Sequence, residues 1–215
     1  MPSGQYKRIC DLLAGKGFAV ASPDIFGPHA WPEDKFPPPD MNEFNQWLGS
    51  TASFEKISAS VESARKHLES KYGVQKFALI GHCLGAARSM QQATDGKYNC
   101  VAACHPAEML CTNEVCQNCP VPVALLLSKD ESDMTEQRSV LKDGSEVFAN
   151  EFRSQVHGFM VRFEFPLAWV FAAVISIALN IATMQAARAD FTDKQQLNKA
   201  KEGVDVVTEF FKKHL

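Results

Sequence analysis

Three side chains in this sequence have types and contexts suited to covalent catalysis: Cys83, Asp130 and His157. Cys83 sits in Gly81-His82-Cys83-Leu84-Gly85. The apolar run Phe77-Ala78-Leu79-Ile80 precedes it, and Ala86-Ala87-Arg88-Ser89-Met90-Gln91-Gln92-Ala93 follows. A buried strand, a G-x-C-x-G turn and a helix make the pattern of a nucleophile elbow, with cysteine where serine more often stands. A nucleophile on so tight a turn tolerates no bulk nearby, and glycine on both flanks removes the Cβ clash. The helix that starts there aims free N–H groups and its positive dipole end at the thiol, which favours thiolate. The same residues also suit a buried structural cysteine in a glycine-punctuated turn, and the rest of the chain has to decide. Asp130 follows Pro122-Val123-Ala124-Leu125-Leu126-Leu127, and His157 lies in Gln155-Val156-His157-Gly158-Phe159. All three fall at or just after expected strand ends, in the order nucleophile, acid, base. Glu131 and Asp133 compete for the acid's place. Asp130 is preferred because it comes first after the strand, where the loop can still reach the elbow.

The elements that must position these residues alternate between strand and helix. Residues 5–14 read as an amphipathic helix with Ile9, Leu12 and Leu13 on one side, ended by Gly15-Lys16-Gly17. Residues 18–21 read as a short strand. A long irregular stretch, 25–49, is rich in Pro and aromatics, and loops of this length tend to be functional. Phe26 and Trp31 within it are candidates for a substrate-side wall, and His29 could line the pocket. A helix over 54–71, capped by Gly73, leads to the strand before the elbow. Further strands are expected at 101–104 and 122–127, a helix at 135–143, an edge strand at 146–152 and a helix at 194–213 with Val204, Val207, Phe210 and Phe211 facing inward. Alternation of this kind implies a parallel sheet covered by helices on both faces, with ligands at the carboxyl ends of its strands.

Composition narrows the class. The chain has 215 residues, 46% hydrophobic and 22% charged, as in an ordinary globular domain, and a formal net charge of -3 without a Lys/Arg cluster, which argues against a nucleic-acid partner. The seven cysteines are an odd number, and Met1-Pro2-Ser3-Gly4 leads directly into a charged helix rather than a signal peptide. A cytoplasmic protein with reduced thiols is expected.

The order of the three residues and their contexts resemble the dienelactone hydrolase family of the α/β-hydrolase fold. The likeness is carried by the elbow, by Asp130 after its strand and by His157-Gly158-Phe159, with Gly17-Phe18 through Ser22-Pro23-Asp24 as a further match. It implies an α/β-hydrolase-type fold with a mostly parallel sheet, and a cysteine hydrolase of small carboxylic esters or lactones that needs no metal or other cofactor. Cys83 would attack the carbonyl, His157 would act as base and then acid, and Asp130 would orient His157 and stabilise its cation. The backbone N–H of Leu84 would be one oxyanion-hole donor, and Arg162 resembles the family's basic residue that meets a substrate carboxylate. Family members also carry strands ahead of the first helix here. The loop after one of them supplies a second oxyanion donor and an acidic residue that holds the resting thiol. Residues 1–7 offer no replacement, so the fold is expected to lack its first strands and to expose a sheet edge. A second class of function follows from that loss: a non-catalytic interaction protein with a hydrolase shell.

Residues 165–187 carry no charge, and their centre would pass a transmembrane screen. A true span would separate His157 from the last helix, which needs the core to bury its apolar side. A single domain over 1–215 is therefore expected, interrupted by an apolar helical insertion at about 163–189. The resemblance implies a small-molecule ester or lactone as partner, a monomer is expected, and membrane association through 165–187 is the less favoured alternative. Cys100, Cys104, His105, Cys111, Cys116 and Cys119 fall within twenty residues, and Cys116-Gln117-Asn118-Cys119 is a C-x-x-C. Zinc sites usually show two spaced pairs, whereas cysteines beside a buried strand behave as small hydrophobes, so no metal site is assigned.

Overall fold

The computed structural model of the chain describes residues 4–32, 35, 38–148, 150–161, 176–179 and 194–215. Helix α1 (Gly4–Gly15) is followed by a 3-10 turn (Gly27–His29), α2 (Met41–Ser50) and α3 (Phe54–Tyr72). Then come β1 (Ala78–Cys83), α4 (Leu84–Ala93), β2 (Cys100–Cys104), α5 (Asn113–Asn118), β3 (Val123–Leu126), α6 (Thr135–Ser139) and β4 (Glu146–Phe148). Strand β5 (Ser176–Leu179) and helix α7 (Lys194–His214) complete the order.

The sheet runs β4-β3-β2-β1-β5, and every pairing is parallel. All residues of β1, β2 and β3 are buried, as a parallel sheet covered by helices requires. Helix α4 packs on β1 and β2 with α3 and α5 behind it, while α7 packs on β2 and β3 with α1 beside it. Val204, Val207, Phe210 and Phe211 of α7 are all buried, as their spacing predicts. Gly73, at φ 65°, ends α3 as a left-handed cap, a conformation that costs glycine nothing.

Helix α5 is not among the expected elements, α6 and β4 end earlier than the expected 143 and 152, and three further elements differ in kind. Residues 18–21 are not a strand: only Ala21 forms a bridge, and Phe18 is held instead by its edge-on contact with Phe211, 6.0 Å between ring centres. The stretch expected to be irregular ends in α2. Its start is legible in hindsight, because Asp40 Oδ1 accepts the Asn42 N–H at 2.7 Å and Glu43 lies in the first turn. Finally, Ser176–Leu179 is a strand, not part of a helical insertion, and pairs Ile80 with Ser176 through to Cys83 with Leu179. An apolar run without a period has no conformation of its own, and the outer side of β1 offers it unpaired backbone groups. That side of the sheet is therefore not bare; the remainder of the expected insertion lies outside the described residues. No helix among the described residues is long and apolar enough to cross a membrane.

Candidate active site

The site is built where β1, β2 and β3 end. Cys83 closes β1 at φ 57°, ψ −119°, a strained conformation for a side chain with a Cβ, and α4 begins at the next residue. The turn closes this tightly because a Cβ at Gly81 would run into the backbone carbonyl of Gly85 and the hydroxyl of Ser89. Leu84, as the first residue of α4, carries an N–H with no acceptor four residues back in the helix, as an oxyanion donor must. The loop after β2 is tied to the elbow, for the Ala107 N–H donates to the Cys83 carbonyl at 3.1 Å.

His157 enters from the run of turns that follows β4. Its ring Nδ1 lies 2.6 Å from Glu131 Oε1, and the other carboxylate oxygen of Glu131 accepts the Ser128 N–H at 2.5 Å. Asp130 bonds the same histidine differently: Oδ2 accepts the His157 backbone N–H at 2.7 Å. The expectation that Asp130 orients the imidazole is thus corrected. Asp130 is exposed and fixes the histidine's main chain, whereas Glu131, at 5% exposure, turns inward and meets the ring. The preference for the first acid after the strand failed because the loop turns between the two, and the longer glutamate stem spans the remaining gap.

Burial on its own would depress the His157 pKa. The Cys83 sulfur, through its charge and hydrogen bonding, and the Glu131 carboxylate outweigh burial and raise it to about 10. Glu131 occupies Nδ1, so the ring's interaction with the Cys83 sulfur falls to Nε2 on the opposite side. Cys83 is only 1% exposed.

Further rings close the site. His105, also at positive φ (36°), stands 5.2 Å from the His157 ring and 5.4 Å from that of His82, while Phe159 stacks on Phe152 at 4.9 Å. Burial pulls the His82 pKa down to about 3, so this ring is neutral. Tyr6 of α1 meets His82 edge-on at 5.8 Å. Burial first, and the Cys83 and Cys104 sulfurs second, push its phenol well above its usual range. Glu131, His105 and Tyr6 have no assigned part in a sequence-level site: glutamate was visible only as a competitor, and nothing in the spacing of the other two signals their convergence.

Phe26 and Trp31 are buried in an aromatic cluster with Phe44 and Trp47: Trp31 lies 4.9 Å from Phe44, and Phe26 5.1 Å from Trp47. The Trp47 indole donates to the His29 carbonyl at 2.8 Å. Arg162 lies outside the described residues. In the cysteine-rich stretch, burial raises Cys100 to about 12 and Cys116 and Cys119 to about 11, and pushes Cys104 and Cys111 upward as well. No group of His, Cys, Asp or Glu among the described residues is arranged to hold a metal ion.

A parallel sheet with a strained strand-to-helix turn at Cys83 and a histidine–carboxylate pair beside it defines an α/β-hydrolase type of protein. The sequence profile of the dienelactone hydrolase family matches residues 3–165, and the chain belongs to that family. An uncharacterized AIM2 family protein of Schizosaccharomyces pombe is 24% identical over 216 aligned residues, covering 97% of this chain and 77% of that protein. No solved structure matches.

Proposed function

We propose that the chain is a hydrolase of small carboxylic esters or lactones with a Cys83–His157–Glu131 triad. The observation that carries this reading is the buried Glu131–His157 pair set beside the strained Cys83 at the strand ends. His157 takes the thiol proton, and the thiolate forms a bond to the substrate carbonyl carbon. The oxyanion is met by the Leu84 N–H. The carbon–oxygen bond to the leaving group then breaks as His157 returns the proton, and water hydrolyses the thioester by the same route. Glu131 keeps Nδ1 protonated and stabilises the imidazolium, and Asp130 holds the loop that carries it. Phe26, Trp31 and Arg162 are the candidates for substrate contacts.

The near-complete burial of Cys83 favours a second reading, a non-catalytic shell that binds without turnover. Hydrolysis of p-nitrophenyl acetate and of a simple lactone by the protein and by Cys83→Ala separates the two. Turnover lost in the variant is expected; equal rates in both would overturn the catalytic reading.

A further inference from the structure

The acid loop, residues 128–133, belongs to no helix or strand, yet it must hold the Glu131 carboxylate against the His157 ring to within a few tenths of an ångström. One side chain spans it. Arg153 Nη1 donates to the carbonyls of Ser128 (2.6 Å) and Glu131 (2.5 Å), and Nη2 to the Ser132 carbonyl (3.1 Å) and the Asp133 carboxylate (2.6 Å). Arg153 stands four residues before His157 on the loop that delivers the histidine. The guanidinium therefore joins the acid's loop to the base's loop, and its planar fork suits several oxygens at once. The Lys129 N–H adds a parallel bond to the Gln155 carbonyl at 2.9 Å, and the Ser132 hydroxyl bonds Glu108 at 3.0 Å.

The Arg153 contacts are not ornament on a surface. Three of its four acceptors are main-chain carbonyls that bracket Glu131, and Ser128, whose N–H holds the Glu131 carboxylate, is fully buried. The fourth partner, Asp133, is 76% exposed at its side chain, so its ion pair with Arg153 is solvent-screened and worth little. What the arginine fixes is the loop's shape.

From this we infer that Arg153 is a positioning residue that acts through Glu131, setting the carboxylate against His157 and so the histidine against Cys83. The inference rests on the proposed Cys83–His157–Glu131 triad. It implies that Arg153→Met lowers kcat about 10²-fold with KM little changed, as a misplaced catalytic group does. It also implies that Arg153→Met costs almost nothing further in a Glu131→Gln background, because both changes break one link. Asp133→Asn leaves kcat unchanged.

The test is a double-mutant cycle on ester hydrolysis, with urea unfolding of each variant alongside it. In parallel, the iodoacetamide labelling rate of Cys83 at neutral pH is followed by mass spectrometry. Coupled, non-additive losses in kcat, and slowed Cys83 labelling in folded Arg153→Met, are the expected result. Additive losses, or a change in unfolding midpoint with kcat and labelling untouched, would overturn the inference. If Arg153→Met does not fold, Arg153→Lys replaces it: a lysine holds fewer carbonyls, so an intermediate kcat supports the inference and a wild-type kcat overturns it. If the unsubstituted protein shows no turnover, the hydrolase reading fails separately. The labelling rate then decides Arg153 alone: slowed labelling supports the inference, and an unchanged rate overturns it.

Discussion

Glu131 Oε1 lies 2.6 Å from His157 Nδ1, and the two side chains are almost wholly withdrawn from solvent, at 2% and 6% exposure. A carboxylate buried this deeply is held only because its oxygens are met, one by the imidazole and one by the Ser128 N–H. Removing either partner would leave a buried charge uncompensated, which is strongly destabilising. The pair is thus a fixed unit of the fold, and it leaves the opposite side of the ring to the Cys83 sulfur.

Glu131→Gln preserves the shape and removes the charge. Esterase kcat is expected to fall by about 10² or more, by analogy with the orienting acid of serine triads, where about 10⁴ is lost. Asp130→Asn keeps an acceptor for the His157 N–H and is expected to cost less than about tenfold in kcat, within the usual worth of one hydrogen bond. Steady-state kinetics of both variants checks the assignment. The reverse ranking would return the orienting role to Asp130.

Thiol reactivity separates a working elbow from an inert shell. Burial raises Cys10 to about 11, Cys100 to about 12, and Cys116 and Cys119 to about 11, so these four are poor nucleophiles at neutral pH. Iodoacetamide at pH 7 is expected to modify one site on the folded protein, Cys83, and none in Cys83→Ala. Uniform slow labelling of all seven thiols would favour the non-catalytic reading.

The His157 pKa, raised to about 10, has a consequence for stability whose sign is definite. The unfolded ring titrates near its ordinary value of about 6.5, so the charged pair contributes fully below that pH and its contribution is lost as pH rises through about 10. The difference in urea unfolding free energy between the protein and His157→Gln should therefore shrink between pH 6.5 and 10. In Cys83→Ala the sulfur's contribution disappears, and NMR titration of the His157 ring should give a lower pKa than in the unsubstituted protein. An unchanged value would mean that the thiol and the ring do not interact.

Gly81→Ala tests the elbow itself. The added methyl meets the Gly85 carbonyl, which is backbone and cannot swing aside. A loss of about 3 kcal/mol in urea unfolding is expected, at the upper end of overpacking costs, with kcat lowered as Cys83 is displaced. A variant as stable as the parent would show that β1 and α4 are not packed this closely.

Much of this was open to reading in the chain alone. Glycines around Cys83, the apolar runs 77–80 leading into the turn, β2 and β3, and the inward spacing of Val204, Val207, Phe210 and Phe211 are local signals, set by steric rules and periods that a few neighbouring residues fulfil. They determined the parallel α/β architecture and the tight glycine-flanked turn at Cys83. Which acid serves that histidine was decided only in three dimensions, because Asp130 and Glu131 are adjacent in sequence and differ in where an irregular loop aims them. Arg153 could not be found from spacing, since its acceptors are main-chain carbonyls that every residue carries. Ser176–Leu179 took a strand's conformation because β1 offered it a ladder, and an apolar run has no means of specifying that partner in advance. Local order is encoded by residue type; the meeting of loops is decided by the packed sheet that brings their ends together.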